Sequence, residues 1–60
     1  MNTATLFTYT PYGTTATAVD VMYRNRLMTS FVGLDKTDLI SKATAWVLNQ
    51  GFTGTKLVKG

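Results

Sequence analysis

Apolar and polar positions alternate along most of this chain with a period near two, and switch once, over residues 35–51, to a period near 3.6. In that segment, DKTDLISKATAWVLNQG, Leu39, Ile40, Ala43, Trp46 and Val47 recur at three- and four-residue steps, which gathers them on one side of a helix. Lys36, Ser41, Lys42, Thr44 and Asn49 fall mainly on the other side. Asp35 is placed to cap the helix, because its carboxylate can accept the free amide hydrogens of the first turn. Thr37 is the competing cap, and Asp38 resembles the back half of a capping box. Gly51 suits the left-handed conformation that ends helices. Trp46, the largest apolar side chain on the stripe, is expected in the core.

The period of two marks the strands. Residues 3–10 (TATLFTYT) put Leu6 and Thr8 on one face and Phe7 and Tyr9 on the other. Pro11, Tyr12 and Gly13 then break the strand. Residues 15–24 (TATAVDVMYR) place Thr17, Val19, Val21 and Tyr23 opposite Ala16, Ala18, Asp20, Met22 and Arg24. A helix competes here on propensity. Its stripe through Val19, Met22 and Tyr23 would have to continue at Asn25 or Arg26, both polar, so a strand is the better assignment. Arg24, Asn25 and Arg26 make a turn, with Asn25 tolerant of positive φ. Residues 27–32 (LMTSFV) set Leu27, Thr29 and Phe31 against Met28, Ser30 and Val32. After the helix, residues 52–59 (FTGTKLVK) form a last strand that Gly54 weakens or bulges. Lys56 and Lys59 would blunt that strand as an edge.

The expected fold is therefore α+β: one domain over residues 1–60, a small antiparallel sheet in β-β-β-α-β order, and one amphipathic helix packed on one face. The crossover through the helix lets the last strand pair beside the third strand or beyond it. One helix covers one sheet face, yet the second and third strands are apolar on both. The remaining face must meet something else, and a second copy of the chain is the simplest candidate.

Composition narrows the chemistry. With neither Cys nor His, the chain can form no disulfide, no Cys/His metal site and no usual nucleophile–base pair. Asp35 and Asp38 are explained as helix caps, and the glycines are too scattered for a phosphate-binding loop. No catalytic residue, cofactor or metal is expected, and the chain is not expected to be an enzyme. Lys and Arg outnumber Asp and Glu by 6 to 3, but only 15% of residues are charged, which is sparse for a nucleic-acid module. No run approaches the roughly 20 apolar residues of a membrane span, and the first residues lack the pattern of a signal peptide. A cytoplasmic location follows as the expectation.

Candidate binding residues fall in two groups. Tyr9 and Tyr12, with Phe7, supply aromatic surface around the first strand. Tyr23, Arg24, Asn25 and Arg26 form a hairpin tip whose two guanidiniums can grip a carboxylate or a phosphate. Chains of this size without cofactor motifs are common among regulators and inhibitors carried by viruses or mobile elements. The function expected is that of a small non-enzymatic regulator or inhibitor that occupies the surface of a larger protein. The alternative is a small nucleic-acid-binding module that sets its sheet and Arg24/Arg26 against phosphates. A homodimer fits either one.

Overall fold

The computed structural model describes residues 2–59. Its elements are β1 (Thr3–Tyr9), β2 (Thr17–Tyr23), β3 (Arg26–Gly33), α1 (Lys36–Asn49) and β4 (Gly54–Lys59). The fold is the α+β arrangement that the periodicity predicts, with α1 packed on one face of a four-stranded sheet of order β3-β2-β1-β4. Each strand lies within about two residues of its expected position.

β1, β2 and β3 are successively antiparallel, whereas β4 joins β1 in parallel and makes the sheet mixed. The last strand thus lies beside the first, at the edge farthest from β3. Two contacts of the strand entrance hold it there: both the amide and the hydroxyl of Thr53 donate to the Asn2 carbonyl, at 2.8 and 2.9 Å. This crossover carries α1 over the sheet. Leu39, Ala43 and Val47 come down on Ala4, Leu6, Val19 and Val21, and all seven are buried. Full burial of a Leu or Val side chain contributes about 1.5–3 kcal/mol, so this seam carries much of the stability. Ile40, Phe31, Phe52 and Trp46 pack around it, half-buried. Trp46 is therefore a flank of the core, whose largest fully buried side chains are Leu6, Val19, Val21 and Val47.

The helix starts as its sequence dictates. Asp35 has extended backbone, and its carboxylate accepts the Asp38 amide at 3.2 Å, so Asp35 and not Thr37 is the cap. The Asp38 carboxylate instead pairs with Lys42 one turn on, at 3.0 Å. At the far end Gly51 takes φ +96°, the left-handed exit.

The pattern along β3 departs from simple alternation. Val21 pairs with Thr29 but Met22 pairs with Leu27, so Met28 is the extra residue of a bulge. Leu27 consequently shares a face with Met22, Ser30 and Val32, not with Thr29 and Phe31 as strict alternation requires.

Candidate functional site

Among the described residues, nothing covers the sheet face away from α1. Register fixes its rows: Leu27, Met22, Thr5 and Lys56 form one, Ser30, Asp20, Phe7 and Val58 the next, and Val32, Ala18 and Tyr9 the third. Phe7 and Tyr9 are 37% and 39% exposed, and Leu27 and Val32 reach 56% and 64%. Ala18, between Tyr9 and Val32 in its row, is buried on this face. The result is a mainly apolar surface with one acid, Asp20, near its middle and one lysine, Lys56, on its rim.

Tyr9 is the polar contact of this surface. Its hydroxyl donates to Asp20 Oδ1 at 3.3 Å, diagonally across β1 and β2. Its phenol is held above the ordinary range, first by desolvation and then by the charge of Asp20 and its hydrogen bond. Tyr12 stands fully exposed in the β1–β2 connection, on a turn closed by the Thr14 amide donating to the Pro11 carbonyl at 3.2 Å. Gly13 takes φ +79° at the third position of that turn, which makes it type II.

The other candidate residues lie at the opposite end of the sheet. Tyr9 pairs with Ala18, five residues before Tyr23, a separation of about 17 Å along the strand. The structure therefore does not bring Tyr9 and Tyr12 together with Tyr23, Arg24, Asn25 and Arg26. Arg24 and Asn25 both have positive φ, 52° and 62°, forming the two-residue type I′ turn that suits a twisted hairpin. Tyr23 faces the helix side and is half-buried. Its ring meets Phe52 edge-on at 4.9 Å, and its hydroxyl donates to Asn2 Oδ1 at 3.3 Å. Tyr23 thus anchors the hairpin. The Arg24 guanidinium lies 5.3 Å from its ring centroid. Tyr23, Arg24 and Arg26 line an open concavity of about 290 Å³.

A second concavity, of about 130 Å³, lies between Thr8, Tyr9, Thr10, Thr17, Lys36 and Lys59. Both are smaller than the roughly 300–1,000 Å³ of ordinary small-molecule sites. Among the described residues no group of three or more His, Cys, Asp or Glu side chains is placed to hold a metal ion, and no helix is long and apolar enough to cross a membrane.

The sequence groups Tyr9 with Phe7 on one face of its strand, but it does not show that this is the face the helix leaves open, nor that Leu27, Met22, Val32 and Val58 share it. The alternation of β1 and β2 is legible in the sequence, that of β3 is interrupted by the bulge at Met28, and which face the helix leaves open depends on the crossover. Compared with protein-family models, with curated proteins and with solved structures, the chain matches none.

Proposed function

We propose that this is a small non-enzymatic protein-binding domain, a regulator or inhibitor that acts by occupying the surface of a larger protein. The observation that carries this function is the uncovered sheet face, where Phe7, Tyr9, Leu27 and Val32 are substantially exposed. Scattered exposed apolar residues need no explanation, but a contiguous set on a rigid sheet marks an interaction surface. Its aromatic and methionine residues are of the kinds enriched in protein interfaces. The hairpin tip adds a second contact. An Arg at φ 52° occupies a backbone region that costs a non-glycine residue about 1–2 kcal/mol, where Asn or Gly would serve the turn better. Strain kept at an exposed cation points to a use for that cation, here an acidic group on the partner.

Nucleic acid is the weaker alternative. Arg24 and Arg26 lie at one end of the sheet, and Lys36 and Lys59 border the concavity beyond Tyr9 at the other. Basic residues split between two ends do not make the continuous stripe that tracks a phosphate backbone. The test compares Phe7→Lys, on the open face, with Arg24→Ala/Arg26→Ala at the tip. Loss of partner binding in Phe7→Lys, with little response to salt, supports a protein surface. Binding that survives Phe7→Lys but collapses in the double arginine variant, with a flattened salt dependence, supports phosphate contacts.

A further inference from the structure

We infer that β3 is a self-pairing edge: two copies of the domain join antiparallel through it, forming one eight-stranded sheet with a continuous open face. The sheet has two edges, β3 and β4, and they differ in charge. β4 carries Lys56 and Lys59 along six residues, a usual protection against edge pairing. From Leu27 to Gly33, β3 carries no charge and no proline, and most of its residues are exposed. Its protective features, Arg26 at the strand's start and the bulge at Met28, leave the segment from Thr29 to Gly33 uncharged and in regular register with β2.

Symmetry and charge select a second copy of this chain as the occupant. An antiparallel strand pair is self-complementary about a two-fold axis, so the same neutral strip serves both partners. With the axis at Ser30, Thr29 faces Phe31 and Met28 faces Val32 of the other copy. The two Arg26 side chains then lie about 27 Å apart along the strands, well beyond the roughly 8 Å screening length of physiological salt. The equivalent pairing through β4 would set the two Lys56 side chains within a few residues of the axis, where like charges destabilise a ladder.

Area gives the pairing a purpose. Strands of about seven residues and four strand spacings outline a face of roughly 450 Å² per copy. That is near half of the roughly 800 Å² that each partner contributes to a standard protein interface. Two faces joined edge to edge reach that size, which neither copy has alone.

Because the chain contains no cysteine, single-cysteine variants report geometry directly. The purified chain is measured by sedimentation equilibrium, and Ser30→Cys and Lys56→Cys are treated with a short bismaleimide. The expected result is a dimer mass, efficient cross-linking at position 30, and none at position 56, where seven strand spacings separate the copies by about 34 Å. Ser30→Lys, which sets two ammonium groups opposite each other, weakens the dimer at least tenfold, whereas Leu48→Lys on α1 does not. A monomer at all concentrations, a dimer that cross-links at position 56 and not at 30, or one indifferent to Ser30→Lys overturns the pairing. A monomer that still captured a partner through the open face would overturn the edge pairing alone and leave the proposed function standing.

Discussion

The hydroxyl of Tyr9 donates to Asp20 across the uncovered face of the sheet, at 3.3 Å, and this bond joins the one acid of that face to its most polar aromatic. The bond directs the Tyr9 ring toward β2 and leaves about two-fifths of the residue exposed for a partner. In the folded state the phenol is raised above its ordinary value of about 10, by desolvation first and by Asp20 second. Folding therefore retains the proton to higher pH than the unfolded chain does. The stability linked to Tyr9 is present in full below pH of about 10 and is lost as pH rises through the folded value. Asp20→Asn removes the charge, so the Tyr9 phenol should titrate at lower pH while keeping the part of its shift due to desolvation. Residue-resolved NMR titration measures this, and a Tyr9 pKa unchanged by Asp20→Asn would contradict the assignment.

At the hairpin tip, stability and binding are predicted to oppose each other. Replacing Arg24-Asn25 by Asn-Gly supplies the residues that a type I′ turn prefers and should raise stability by about 1 kcal/mol. The same change removes a guanidinium and should weaken partner binding. Denaturant unfolding together with a binding titration tests both halves. A variant that loses stability would show that Arg24 is held by its ring contact with Tyr23 more firmly than its backbone is strained.

In the core, Leu6→Ala should cost about 2–5 kcal/mol, because Leu6 is fully buried beneath the helix seam. Trp46→Ala should cost less than the roughly 3–5 kcal/mol of a fully buried tryptophan, since Trp46 is half-buried at the flank of that seam. Chemical denaturation orders the two. A Trp46→Ala variant that fails to fold while Leu6→Ala remains native would move the centre of the core to the tryptophan.

Helix capping is the smallest of these effects. Asp35→Ala removes the acceptor of the Asp38 amide and should destabilise by about 1 kcal/mol, while Thr37→Ala should change little. Thermal melts of the two variants separate the caps, and equal losses would contradict the assignment of Asp35.

What the sequence made legible was local. The stripe of Leu39, Ala43 and Val47, the cap at Asp35, the exit at Gly51 and the alternation of β1 and β2 each follow from side-chain periodicity or a single residue's backbone preference. Two features escaped because they arise between elements. The parallel place of β4 beside β1 depends on the path of α1 across the sheet and on the bonds from Thr53 to Asn2. The facing of Leu27 depends on a bulge opposite Val21 and Met22 that no residue in β3 announces. The candidate site suffered for the same reason. Tyr9 and Tyr23 both look like exposed aromatics in the sequence, yet the register puts Tyr9 on the open face and Tyr23 against Phe52.

The central claim, that the uncovered face binds another protein, is tested most directly by affinity capture from an extract of the encoding organism or its host. Wild type, Phe7→Lys and the helix-surface control Leu48→Lys are compared, each with and without nuclease, with mass spectrometry and nucleic-acid staining. The prediction is one protein held by wild type and Leu48→Lys, lost with Phe7→Lys, and indifferent to nuclease. Capture that survives Phe7→Lys, or that consists of nucleic acid with proteins lost after nuclease, would contradict it.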